Sequence, residues 1–287
     1  MHIAYRWLQY QGSTMKMSST DQEQAKSTGL KPETKISKIG IASRDYNQNY
    51  NGYRDFSQSL ESILNIFDSE NCDAILFSLF SICPRQGFSI KKHLNRLSNV
   101  KLVLVESFRF GESDEFSVIC NHAYHKDCNT KEWDQYDYNQ KFGSLSGMKE
   151  DALKDFVSSE IPQRIFGNSL SILCGETNIV KYSQAEKKVK DTYRLLHHIP
   201  KDVQIILNPI HDRMTRFEMK LKRKFLSKNR RWVISVWNRG KADKNGVIKD
   251  GQNPAWTVFF NEKEVMINTI DHNLGDKIEL GIVDTSC

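Results

Sequence analysis

Apolar positions along the chain fall into two kinds of pattern. Short continuous runs at residues 38–42, 72–77, 101–105, 116–120, 170–174, 203–207 and 231–237 have the length and bounded character of buried strands. Phe56, Leu60, Ile63, Leu64 and Phe67 instead recur at three- and four-residue steps, the spacing of one helix face. The same reading places helices at 90–97, 151–160, 182–198 and 212–229, the third of them heavily charged. A β-hairpin is expected from strands at 256–260 and 265–270, with its turn near 261–264. Residues 108–149 are less regular, with a polar, aromatic loop after the run at 116–120. Strands alternating with helices predict an α/β fold with layered sheets.

Composition changes this picture in a few places. No linker divides residues 36–275, which therefore read as a single domain. Residues 1–35 are polar and read as a disordered N-terminal extension, and 276–287 as a C-terminal tail. The six cysteines form no CxxC pair, which argues against a disulfide framework and for a reducing, cytoplasmic setting. No apolar stretch reaches the length of a membrane span. A net charge of +6 permits contact with nucleic acid without arguing for it.

The chemistry-bearing stretch is 169–176, where an apolar run ends in Cys174, Gly175 and Glu176. Glycine permits a sharp turn that would present the sulfur at the strand's carboxyl end, where ligands of open α/β sheets sit. A cysteine there is either a nucleophile or a plain core residue. Asn208, His211 and Asp212 follow another strand and face the same choice: pocket residues, with His211 able to act as an acid or base near neutral pH, or, for Asp212, a helix N-cap. Cys120, His122, His125 and Cys128 lie close in sequence, but their spacing matches no common zinc pattern, so no metal is expected. The helix at 213–231 carries nine basic residues and one acidic residue. Met214, Phe217, Leu221 and Phe225 mark its expected buried face, leaving most of the charge on the outside. That charge is either a solvated surface or a patch for nucleic acid or an acidic partner.

The order of these pieces resembles the carbon–nitrogen hydrolase, or nitrilase, superfamily. The resemblance rests on the opening strand at 38–42, the second strand at 73–77 and the stretch 138–143 around Lys141. It rests also on the cysteine turn at 171–176 and the strand–helix–strand unit from Leu207-Asn208-Pro209 to Asn238. It implies a nitrilase-like α-β-β-α sandwich and a Glu–Lys–Cys triad in which Cys174 attacks an amide or nitrile carbon and Lys141 stabilises the developing charge. It calls for no cofactor. Where the family ends its second strand in proline–glutamate, this chain has Ser78 and Leu79, and leucine cannot take a proton. Glu106 is the first substitute for the missing base, with Glu176 and Glu150 behind it; Leu79, Glu176, Asn208 and His211 are expected to line the substrate pocket.

The leading expectation is a cysteine-dependent amidase acting on a small amide or nitrile-type substrate. Its rivals are a degenerate member that keeps the pocket for a ligand or partner, and a nucleic-acid-associated accessory protein using the basic helix 213–231. Leu79 favours the degenerate reading, and Cys174 with Lys141 favours the enzyme. The fold resembled often pairs into homodimers.

Overall fold

A computed structural model of the chain describes residues 34–45, 55–85, 88–110, 116–212, 217–240, 247–248, 254–275 and 277–286. In chain order the strands are β1 (Lys38–Arg44), β2 (Ala74–Phe77), β3 (Leu102–Phe110), β4 (Phe116–Lys126), β5 (Trp133–Tyr138), β6 (Ile165–Phe166), β7 (Ser169–Ser171), β8 (Lys181–Ser183), β9 (Lys188–Lys190), β10 (Ile205–Asp212), β11 (Trp232–Asn238), β12 (Trp256–Phe260), β13 (Lys263–Val265) and β14 (Ile278–Asp284). The α-helices are α1 (Leu60–Ser69), α2 (Ile90–Leu94), α3 (Glu150–Asp155), α4 (Leu195–His198) and α5 (Phe217–Leu226). The result is a mixed α/β fold built on two six-stranded sheets, ordered β14-β1-β2-β3-β4-β5 and β13-β12-β11-β10-β7-β6.

Strand alternation divides the core. Ile39, Ile41, Leu76, Leu102 and Leu104 of the first sheet share one apolar cluster with Ile205, Leu207, Ile234, Val236 and Val258 of the second. The other face of the first sheet, through Ala42, Ile75, Phe77 and Val103, packs against α1 and α2. The other face of the second sheet, through Leu170, Ile206, Val233 and Phe259, packs against Leu153, Phe156 and Leu226. Helix α1 buries Leu60, Ile63, Leu64 and Phe67, each contributing about 1.5–3 kcal/mol of transfer free energy. Gly40 makes this contact possible, because a Cβ there would lie 2.4 Å from the Phe67 ring.

Parallel pairing sets where a site can form. β1, β2 and β3 run parallel in the first sheet, as do β7, β10 and β11 in the second. Their carboxyl ends meet at one edge: Asp45 bridges Arg239, and the Leu79 N–H donates to the Ile210 carbonyl at 3.1 Å.

Several expected elements differ. Residues 182–198 form the β8–β9 hairpin and the short α4 instead of one helix. That stretch has no continuous apolar stripe; Tyr182 pairs with Val189 across the hairpin, and Asp191 accepts the Leu195 and Leu196 N–H groups at 2.7 and 2.9 Å. The tail beyond 275 contains β14, which pairs antiparallel with β1 along its length because Ile278 and Leu280 reach the core. Part of the loop after residue 120 is strand, the continuation of β4 and then β5. Thr34 is buried and bonds His125 at 2.9 Å; residues 1–33 of the predicted N-terminal extension lie outside the described ones. No helix among the described residues is long and apolar enough to cross a membrane.

Candidate active site

The cysteine turn is built by a buried carboxylate. After β7 the chain enters a 3-10 turn, Cys174–Ile179. Glu176 folds back to accept the Leu173 N–H at 2.9 Å and the Lys141 N–H at 2.8 Å. Its charge is met by Arg164 at 2.6 Å, and both side chains are buried. Arg164 lies over the Tyr138 and Phe156 rings and donates to the Asn139 carbonyl at 3.0 Å. Burial pushes the Glu176 carboxyl upward in pKa, against Arg164 and the two backbone donors that favour its charged form. Glu176 thus shapes the turn rather than lining a pocket. Gly175 is required by close approach rather than by an unusual φ, since a Cβ there would lie 2.4 Å from the Gly143 Cα.

Three other expected residues have different duties. Lys141 pairs its ammonium with Glu160 at 2.6 Å and leaves the side chain 44% exposed. Its backbone, not its charge, is what it lends to the cysteine turn. Asn208 is fully buried, donating to the Ile172 carbonyl at 2.7 Å and accepting from Ser235 at 2.9 Å. It ties β10 to its neighbours, with both side-chain polar atoms bonded within the protein. Glu150 pairs with Lys154 on the surface.

Cys174, His211 and Glu106 come together at the edge where the parallel strands end. Glu106, on β3, is 1% exposed. It accepts the Phe80 N–H at 2.7 Å and the Asn121 side-chain amide at 3.2 Å. Its Oε2 lies 2.9 Å from Nε2 of His211. Cys174 lies near enough to act on the His211 ring. Burial works against an imidazolium here, but Glu106 and Cys174 outweigh it and lift the His211 pKa from 6.5 to about 10. Glu106 therefore reaches the cysteine through His211.

The turn that follows β2 supports this arrangement. Leu79 is buried, and its carbonyl accepts from Asn238 at 2.7 Å. Asn238 also donates to the His211 carbonyl at 2.9 Å and accepts from Ser78 at 2.6 Å, locking the ends of β2 and β10 together. Leu79 is thus a packing and backbone residue, although the sequence placed it in the pocket. Phe80 has a φ of 55°, a conformation that costs a non-glycine residue about 1–3 kcal/mol. In it the Phe80 N–H reaches Glu106, its carbonyl accepts from Arg44 at 2.9 Å, and its ring lies 4.2 Å from that of His211.

Sequence spacing missed the buried cation. Met219, Lys222, Arg223 and Leu226 form the buried face of α5, while Phe217 is 69% exposed. Met214 lies outside the described residues. The face is rotated from the expected one because Lys222 donates to Asn178, on the cysteine turn, at 2.7 Å. Arg223 lies over Trp237, with its Cζ 5.6 Å from the ring centroid, and Cys174 packs against the same cluster of Ile210, Trp237 and Ala255. Burial lowers the Arg223 pKa to about 10, with Cys174 and Glu264 pulling the other way. Lys220 pairs with Glu264 at 2.6 Å, so the basic helix turns part of its charge inward or into an ion pair. The signal in the sequence was Met219, Arg223 and Leu226 at helical spacing, obscured by the charge on Arg223.

The cysteine–histidine cluster separates in the fold. His125 and Cys128 both turn to Thr34. Cys120 and His122 approach Asp137, with the three potential ligand atoms within 4.8 Å of one another. His122 bonds Ser107 and Asp137, each at 2.7 Å, so both ring nitrogens are engaged. The backbone of Asp212 ends β10, where a helix cap was expected.

One consequence is a pH-dependent stability. The His211 pKa is raised above its unfolded value, so its contribution is complete below about pH 6.5 and is lost as the pH rises through about 10. Urea midpoints measured across pH 6.5–10 should fall, and Glu106→Gln should flatten that part of the slope.

No family model matches the chain, and no curated protein matches it in sequence. Among solved structures it is similar to an amidase from Nesterenkonia sp., at 10% identity and a TM-score of 0.47, over 90% of this chain and 93% of that one. It is similar also to the glutamine-dependent NAD+ synthetase from Acinetobacter baumannii, at 10% identity and a TM-score of 0.46, over 87% of this chain but 46% of that chain. The corresponding synthetase from Cytophaga hutchinsonii gives 8% identity and a TM-score of 0.42, over 88% of this chain and 43% of that chain.

Proposed function

We propose that the chain is a nitrilase-like α-β-β-α sandwich acting as a cysteine-dependent hydrolase of small amides or nitrile-type substrates. The observation that carries this reading is the grouping of Cys174 with the His211–Glu106 pair, bonded at 2.9 Å, at the carboxyl edge of the parallel strands. Glu106 holds His211 as an imidazolium beside the sulfur, with a proton ready for the leaving group.

The chemistry with an amide runs in two halves. The Cys174 sulfur forms a bond to the carbonyl carbon, and the C=O electron pair moves to oxygen. Collapse of that adduct breaks the C–N bond as His211 gives its proton to the leaving nitrogen, leaving a thioester and ammonia or an amine. Water then attacks the thioester, His211 takes one proton from it, and Cys174 leaves as thiolate with the carboxylic acid as product. Glu106 is a positioning residue, holding His211 oriented and charged.

The test is ammonia release from short aliphatic amides by the full chain, together with iodoacetamide labelling. Cys174 should react faster than Cys72, whose thiol is buried and pushed up to about 12. Turnover abolished by Cys174→Ala supports the enzyme. Slow labelling of Cys174 and no ammonia release would leave the second reading, a ligand-binding protein; Leu79 at the usual glutamate position favours it.

A further inference from the structure

We infer that Arg223 is a receptor for a carboxylate on the substrate, so that the site takes small amides that also carry a free acid group. This deepens the cysteine-hydrolase reading and rests on it for the identity of the reacting end.

The Arg223 side chain is buried, 2% exposed, and its Nη1 donates to the Thr257 hydroxyl at 3.0 Å. Its Nε and Nη2 have no hydrogen-bond partner. These two nitrogens form one edge of the guanidinium, the edge that meets both oxygens of a carboxylate in a bidentate pair. A buried charge with an unmatched edge is costly, and a ligand anion would relieve that cost. The nearby carboxylate, Glu264, is paired with Lys220.

The position suits a short substrate. Arg223 lies over Trp237, Cys174 packs against the cluster that Trp237 forms with Ile210 and Ala255, and Lys222 of the same helix is bonded to Asn178 of the cysteine turn. An amide carbon at the Cys174 sulfur would leave the rest of a small molecule beside the Arg223 edge. A lone oxyanion from the amide would fill only one of the two donors, whereas a planar carboxylate fills both.

The experiment uses the full chain carrying Cys174→Ala, so that binding is read without turnover. Calorimetry would compare succinamate with butyramide, a neutral amide of similar length. Succinamate should bind about tenfold to hundredfold more tightly, the range for a charge-assisted pair. Adding Arg223→Gln should remove most of that preference. Arg223→Lys, which keeps the charge and loses the paired edge, should retain only part of it. Circular dichroism and melting would check each fold. Equal affinity of Cys174→Ala for the two amides would overturn the inference even if neither Arg223 variant folded, as would a preference that survives in folded Arg223→Gln. Turnover of neutral amides by the wild-type chain without any carboxylate preference would defeat this inference and leave the hydrolase reading standing. Tight succinamate binding without turnover would do the reverse.

Discussion

Glu106→Gln should lower amide turnover by roughly 10²- to 10⁴-fold, the usual range for loss of acid–base assistance, while leaving the chain folded. Glutamine keeps the volume and can still accept the Phe80 N–H, which lies 2.7 Å from the present carboxylate. It removes the negative charge 2.9 Å from His211. His211 would then lose its main support as an imidazolium, because burial already works against that form. The proton for the leaving nitrogen would then be harder to hold on His211 at neutral pH. The distinguishing measurement is the pH profile of turnover. A purely structural role would lower the amplitude at every pH. A role through His211 moves the alkaline limb toward lower pH, so that mildly acidic conditions recover part of the lost rate. An unmoved profile with full turnover would detach Glu106 from the chemistry.

The second large effect is on stability. Removing one partner of the buried Arg164–Glu176 pair should cost about 3–5 kcal/mol, because the remaining charge stays in a dry site. Arg164→Met is the sharper form, since methionine keeps much of the packing against Tyr138 and Phe156 while stranding the Glu176 carboxylate. Urea denaturation would read the loss as a fall in midpoint. Adding Glu176→Gln to Arg164→Met should recover part of it, because the stranded charge is gone and the amide oxygen can still accept from Leu173 or Lys141. A single-variant loss below about 1 kcal/mol, the level of exposed pairs, would mean that water reaches this pair. Because Glu176 also shapes the cysteine turn, the Arg164→Met chain should show slower Cys174 labelling before it shows global unfolding.

The parts of the protein written in local pattern were legible from the chain alone. β2 is wholly apolar and β1, β10 and β11 are each built on a short apolar run, the trace that burial on both faces leaves in a sequence. Helix α1 was equally plain, since its four buried residues recur at helical spacing. The cysteine at the end of a short strand, and Glu106 on β3, could be named as candidates because position along a strand predicts nearness to the sheet edge. Partners could not be named in the same way. Glu106 meets His211 across 105 positions and Asn238 meets Leu79 across 159, and only the packing of two sheets brings those ends together. Charge was the hardest feature to place. Lys141 and Arg223 are both basic residues near chemistry-bearing stretches, yet one pairs with Glu160 near the surface and the other is buried over Trp237. A long cationic side chain can turn toward solvent or toward an interior group, and its local sequence is the same in either case. The balance between desolvation and the particular groups awaiting it decides the direction, and that balance exists only once the tertiary structure has formed.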